Sequence, residues 1–534
     1  MRSKPFLLVL ILFFTVSFSS QAKSLPGGVS EYKMKVRHYA ISLKVFPNLK
    51  SIQGTNVITF EMECRDSNIV LDLDHRLKIE SLTFKDKELK FKRSLKKIYI
   101  QLGNALNKGE KGVLKVRYSG EPEVAIQAPW KGGFVWSQDK EGNAWVGLAC
   151  ESKGASIWLP CRDKWDNEVD SMSMELIVPE GLTGVSNGKL IRVANESGGY
   201  RSFLWKTLNP INHYNISVNV GKYVHFNDVG GLSNKLSLDY YVLSYNLEKA
   251  KKHFLEVDSM LDIFEKTFGP YPFYEDGYKL VETPYWGMEH QSCVAYGNNY
   301  KYHPFGFDFI IVHESGHEWF ANSITARDPA DMWIHESFTT YTEFIYLEQR
   351  YDIGLATDYL MTQKAKIVNK RTLLGPIGID YHGWKDNDIY YKGSWMLHTL
   401  RNSVSNDSIW FKILYGMGTK FSHQLTDTRA VVNYMDSMAG GTYQPFFKQY
   451  LSRTSLPVLK LQVSKNKSGK TILKYKWKGV ENGFSMNVYI NAISDKIKIV
   501  PGEKIQELIL PDNFNPEWLL ELERRYLIKV QLKY

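Results

Sequence analysis

The sequence predicts a multidomain α+β protein: an N-terminal antiparallel β domain, an α+β middle domain, and a small sandwich-like β domain at the end. Three observations carry that prediction. Apolar residues alternate with a period of two from Tyr32 to about Lys222, the pattern turns helical from about Tyr245 to residue 438, and strand-like alternation returns beyond Leu456-Pro457. We place the segments at 1–22, 23–224, 225–455 and 456–534.

The first segment has Arg2 and Lys4, an apolar run from Pro5 to Phe18, then Ser20-Gln21-Ala22. A basic start, a short apolar core and a small-residue cleavage site predict a signal peptide. The mature chain is expected to be exported to a periplasm or the outside, to start near Lys23, and to lack a transmembrane segment, since no later run approaches 18 apolar residues. No cysteine follows the apolar core to accept a lipid.

In the β domain the strands read as Tyr39–Val45, Asn56–Phe60, Ile69–Leu73 and Lys97–Leu102, punctuated by Gly, Asn and Asp. The Lys-rich stretch 84–97 reads as the solvated face of such strands. In the middle domain Leu247, Ala250, Phe254, Val257, Leu261 and Phe264 form one helical stripe. A few strands follow to about Tyr302, then two helices around His313 and Glu336. Further helices are expected near 357–372, 391–403, 408–421 and 428–438. No repeat of 20–50 residues and no low-complexity tract interrupts this order.

Formal net charge is +10, falling to +8 without Arg2 and Lys4. The cations are scattered and do not form an aromatic-interleaved stripe, which argues against nucleic-acid binding. Four cysteines (Cys64, Cys150, Cys161, Cys293) are too few for a disulfide framework, and one bridge is left open. Aromatic residues make up 14 %, which suits β-rich domains and an aromatic-lined cleft.

Residues 313–336 read His313-Glu314-Ser315-Gly316-His317, eighteen residues, then Glu336. Histidines four apart share a helix face, so both imidazoles can reach one ion. Two His, one Glu and a water are the ligand set of catalytic Zn²⁺, one ion per chain, and Glu314 is placed to take a proton from that water. With 13 His and 57 acids in 534 residues, chance yields this spacing roughly 0.003 times per chain, against the false positives expected of short motifs. Phe320 and Ser323 stand where metzincins need Gly and His.

Gly287-Met288-Glu289-His290 precedes Glu314 by twenty-five residues on an expected edge strand. Together with the zinc motif it resembles the aminopeptidase N family of zinc metallopeptidases, which includes leukotriene hydrolase. Pro160-Cys161, Ser186-Asn187-Gly188 and Tyr214-Asn215-Ile216-Ser217 to Gly221-Lys222-Tyr223 extend that resemblance over nearly the whole mature chain. The resemblance implies a thermolysin-like catalytic domain and hydrolysis of N-terminal peptide bonds. It implies that Glu289, with Glu151, pairs with the substrate's free α-ammonium, and that Gly287 and Met288 dock the substrate as an added strand. It also implies that Tyr390 of Tyr390-Tyr391-Lys392-Gly393 donates to the oxyanion, with Tyr391 the alternative. His290 and His335 stand where the family usually has Asn, and Ser337 where it usually has Gly.

Glu343, seven residues after Glu336, is a candidate to orient a ligand histidine, and Asn322 a candidate polar support. His335, His382 and His398 read as structural or surface histidines. The large helical C-terminal domain of many relatives is expected to be absent, leaving a more open site. The alternatives are an endopeptidase or epoxide hydrolase on the same zinc, or a peptide-binding protein with a dead site. The last would show a lost ligand or a lost Glu314, and all four residues are present.

Overall fold

The computed structural model describes residues 31–492 and 496–534. The expected signal peptide at 1–22 lies outside the described residues. In the N-terminal region an eight-stranded sheet is built around Met34–Phe46. Its buried side chains run Met34, Val36, Tyr39, Ile41, Leu43, Val45. The parity changes once, between Val36 and Tyr39, because a bulge between Val36 and His38 inserts one residue. After it, alternation again puts apolar residues on one face. Beside the large sheet lie a four-stranded sheet, which includes Ala144–Ala149, and a three-stranded one.

The sequence reading of this domain as antiparallel needs one correction. Met34–Phe46 pairs antiparallel with Ser51–Met62 but parallel with Ser171–Pro179, with Ile41 opposite Met174. Residues some 130 positions apart pair through the fold, and a period of two carries no information on the partner's direction.

The middle region starts with a five-stranded mixed sheet, in the order Tyr223–Gly230, Leu236–Leu243, Tyr278–Glu282, Val294–Tyr296, Gly287–Met288. Gly287–Met288 is an edge strand, as its sequence suggests. Helices pack behind it around fully buried Trp319, Trp333, Trp395 and Trp410. The helical stripe near residue 250 is two helices, Leu247–His253 and Glu256–Phe268.

The helix expected at 357–372 instead spans Ile353–Lys364. Its start is fixed by Asp352, whose side chain accepts from Leu355 N. Beyond its end, the amides of Val368 and Asn369 donate to the Asp388 carboxylate at 2.7 and 2.6 Å, and Asn369 turns left-handed at φ +53°. A side-chain acceptor has replaced the helical carbonyls. One short helix, Gln444–Ser452, escaped the sequence reading although Phe446, Phe447, Tyr450 and Leu451 of it are buried.

The last eighty residues hold a four-stranded sheet ordered Gln506–Ile509, Thr471–Lys478, Val458–Lys465, Lys529–Lys533, and a separate pair, Val488–Ile490 with Ile497–Ile499. All four cysteines are free thiols. Among the described residues, no helix is long and apolar enough to cross a membrane.

Candidate active site

His313 and Glu314 lie in the last turn of a short helix, Phe309–Gly316, and His317 caps its C-terminus. Asp308 fixes the other end by accepting from Ile310 N and Ile311 N at 2.9 and 3.2 Å. Asp308 is itself held by His253 Nε2 and the Tyr296 hydroxyl, each at 2.7 Å. Glu336 sits in the first turn of the long helix Trp333–Arg350. The packing of the two helices brings Glu336 Oε2 to 3.7 Å from His313 Nε2 and 3.5 Å from His317 Nε2.

That triangle fits zinc. Tetrahedral bonds of about 2.0–2.1 Å put ligand atoms roughly 3.3 Å apart. Glu336 Oε2 is buried and accepts no hydrogen bond, which would be costly for a carboxylate oxygen with no cation to meet. The far nitrogens agree. His317 Nδ1 faces the Phe320 carbonyl at 2.9 Å, so it must donate there and leave the Nε2 lone pair toward the triangle. Thr339 Oγ1 lies 3.0 Å from the same Nδ1. His313 Nδ1 lies 2.6 Å from Glu343 Oε1. Glu343 is fixed in turn by the Tyr359 hydroxyl and by Gln363 Nε2 at 2.9 Å. Burial would raise Glu336, yet the two imidazoles hold its carboxyl below the ordinary range.

Around this triangle is a cleft of about 310 Å³ lined by residues of both larger regions. It brings together Glu151, Gly287, Met288, Glu289, His313, Glu314, His317, Glu336, Glu343, Tyr390 and Tyr391, while Asn322 stands outside it. Glu151 comes from the β domain, on the turn after Ala144–Ala149. The joint between the regions is tight there. Tyr285 Oη donates to Leu148 O at 2.8 Å and Asn187 Nδ2 to Gln291 O at 2.7 Å.

Gly287 allows the edge strand to approach the helix, because a Cβ there would stand 2.7 Å from Glu314 Oε1 and 3.0 Å from Ile310. Glu289 is 5 % exposed, and no other described residue is hydrogen-bonded or ion-paired to its carboxylate. Its backbone carbonyl accepts from Asn322 Nδ2 at 2.8 Å, and Asn322 Oδ1 accepts from Asn215 Nδ2 at 2.8 Å. Glu151 Oε1 is buried with no partner. Burial, then the neighbouring Glu289, Glu336 and Glu314, push the Glu151 carboxyl well up. Burial also raises Glu289 and takes Glu314 to about 7, with Glu289 and Glu336 adding to the latter.

The two tyrosines differ. Both start the helix Asp388–Val404 and were expected just before it. After burial, Tyr390 responds to Glu336, Glu151, Glu289 and Glu314, whereas Tyr391 responds only to Glu343. The Tyr390 ring lies 6.2 Å from the His313 ring, and both tyrosines line the cleft. His335 and His398 are buried, and His335 Nε2 accepts from Ala326 N at 2.8 Å while its ring stacks on Trp165. His382 sits edge-on to the same Trp165. His290 is fully buried with both ring nitrogens unpartnered, and burial holds it near 3, so it is neutral.

The sequence reading missed Thr339, Tyr359, Gln363 and the Phe320 carbonyl. Only Thr339 left a signal, three residues after Glu336 on the same helix face.

Two family models match: the peptidase M1 N-terminal domain over residues 35–214 and the peptidase family M1 domain over 257–450. A leucyl aminopeptidase of Saccharolobus solfataricus is 21 % identical over 456 residues, 81 % of this chain and 55 % of the relative. An aminopeptidase N of Lactobacillus helveticus is 22 % identical over 509 residues, 88 % of this chain and 57 % of the relative. The chain thus spans little more than half the length of these curated relatives. A crystal structure of an M1 zinc metallopeptidase from Deinococcus radiodurans superposes with a TM-score of 0.67 at 20 % identity, covering 79 % of this chain and 95 % of that one. A mutant of that protein bound to a Tyr-Ser-Ala substrate gives a TM-score of 0.66 at 20 % identity, over 79 % and 95 % of the two chains.

Proposed function

The chain belongs to peptidase family M1, a family of zinc metallopeptidases, and from that premise we propose that it removes N-terminal residues from peptides as a zinc aminopeptidase. His313, His317 and Glu336 hold the metal. When bound, zinc polarises the scissile carbonyl and makes its water more acidic. Glu314 takes the proton of the attacking water on a carboxylate oxygen and gives it to the leaving amine. The Tyr390 hydroxyl donates to the oxygen on which negative charge develops. Gly287 and Met288 pair with the substrate backbone as an added strand.

The observation that carries the exopeptidase reading is the pair Glu151 and Glu289. Both are acids lining the cleft with no Lys or Arg among the described residues paired to them, and a peptide's α-ammonium would supply such a partner. An endopeptidase has no need of paired anchoring acids at this place. A mutant of the Deinococcus radiodurans relative was crystallised bound to a Tyr-Ser-Ala substrate, which supports a peptide as the ligand.

We also read residues 23–224, 225–455 and 456–534 as β domain, thermolysin-like catalytic domain and small sandwich-like β domain. The segment 1–22 we read as an export signal, with the site open enough for long peptides. The test incubates a decapeptide and its N-acetylated twin with the metal-loaded enzyme and weighs the products. Stepwise loss of single residues from the free peptide alone is expected. Internal fragments from both would overturn the reading.

A further inference from the structure

The edge strand fixes a direction for any peptide laid along it. Glu289 marks where the free amine sits, and Gly287, against Glu314 Oε1, marks the bond to be cut. A strand added antiparallel therefore continues past Gly287 toward Trp286. The residue after the scissile bond reaches a part of the cleft built differently from the acid wall. It is neutral and aromatic.

Three rings form it. Trp286 and Phe309 stack at 5.4 Å between centroids and 15° between planes. Phe309 stacks on His313 at 5.2 Å and 19°. Trp130, from the β domain, lies 5.9 Å from Trp286 at 43°. All three line the same cleft as Glu314 and Glu289. Each is anchored through its backbone. Trp286 O accepts from Gly297 N at 2.8 Å, Phe309 begins the helix that carries His313, and Trp130 sits in a turn closed by Lys131 N to Gln127 O at 2.8 Å. Yet Trp130 is 54 % and Trp286 41 % exposed. Two adjoining tryptophans held half in water at the mouth of a cleft form an apolar surface that a ligand can cover. Their large rings lose little conformational freedom on doing so.

We propose that Trp130, Trp286 and Phe309 form a subsite for a flat aromatic side chain at the second position of the substrate peptide. The proposal rests on the aminopeptidase reading above. The occupant is aromatic because Trp130 and Trp286 leave ring surface exposed beside one another, and rings pair well with another ring at offset-stacked or edge-on distances. The peptide's only required charge, the ammonium, is met on the other side of the cut bond. A small second residue leaves the tryptophans wet and gains nothing.

The experiment compares tripeptides Ala-Xaa-Gly with Xaa as Phe, Trp, Leu, Gly or Lys, reading release of free alanine. Phe and Trp are expected to exceed Gly in kcat/KM by about tenfold or more, the size of effect one well-filled apolar pocket gives. Trp286→Ala should bring the Phe-to-Gly ratio close to 1, and Trp130→Ala should lower it part of the way. A second readout needs no turnover: the Glu314→Gln protein, loaded with zinc, should bind Ala-Phe-Gly more tightly than Ala-Gly-Gly by calorimetry. Equal kcat/KM across the series, a Lys peptide preferred to the Phe peptide, or a ratio unchanged in Trp286→Ala overturns the subsite while alanine release leaves the aminopeptidase reading standing. Failure to release alanine from any peptide overturns both.

Discussion

The metal corner and the amine wall share one cleft but are finished to different degrees. In the corner, each imidazole has its far nitrogen engaged, by Glu343 or by the Phe320 carbonyl, and Glu343 has two further partners. On the wall, neither the Glu289 carboxylate nor Glu151 Oε1 is hydrogen-bonded or ion-paired to another described residue. The corner's side chains are held by groups other than the ion, as second partners on ligand groups bring about. The wall's acids, raised by burial, gain a charge-matched partner only when a cation enters. The difference teaches where specificity is stored. A group already satisfied cannot discriminate, whereas an unsatisfied buried acid discriminates strongly between a peptide bearing an ammonium and one that does not.

The contrast can be broken most severely at Glu314, which touches both regions. Glu314→Gln keeps the shape but cannot accept a proton, so kcat should fall by about 10³-fold or more with zinc content near one per chain. Normal turnover in that variant would remove Glu314 from the role of base. On the wall, Glu289→Ala should cost about 2–5 kcal/mol of transition-state binding for free peptides. The same change should leave the metal bound and the rejection of acetylated peptides weaker. If free and acetylated peptides are discriminated as before, the wall is not what reads the amine.

Tyr390→Phe tests the proposed oxyanion donor. Loss of an oxyanion donor costs roughly 10²–10³ in kcat, and zinc should stay. Should Tyr391→Phe produce that loss and Tyr390→Phe none, the two hydroxyls have been assigned the wrong way round. The mildest change is expected at Glu343→Ala, deep in the corner. Losing the partner of a ligand histidine weakens metal binding by about 10–100-fold, measurable as competition with a chelating dye. An unchanged affinity would mean the corner's second layer contributes no preorganisation.

Legibility in the sequence followed the same line between local and assembled features. His313, Glu314, His317 and Glu336 were readable because a helix repeats every 3.6 residues, so spacing alone put the two histidines on one face. The β domain was readable from alternation, and Tyr39 to Val45 is indeed one strand with Ile41, Leu43 and Val45 inside. The parallel partner of that strand was not, nor was the Asp388 carboxylate that stops the helix after Lys364. Glu151 and Tyr390 could be nominated only through resemblance, since neither has a neighbour in sequence that marks it. The Phe320 carbonyl carries no side-chain information at all, and Tyr359 reaches Glu343 from another helix. His335 stands where the family usually has Asn and still serves as an acceptor, for Ala326 N. Nothing in the structure explains His290, whose ring nitrogens face no partner.

Glu151 rides on a turn of the β domain and Glu289 just past the edge strand of the next region, with Tyr285 to Leu148 and Asn187 to Gln291 as bolts across the joint. On the proposed reading, hydrolysis is thus housed within one body, whereas the gauge that measures a chain end is split over two. A joint loosened by an ångström or two leaves His313, His317, Glu336 and Glu314 in register with one another, because they share a helix pair. The jaws of the gauge would drift apart. Wear on this molecule, whether from heat or from mild denaturant, should therefore show first as carelessness about where it cuts and only later as slowness in cutting.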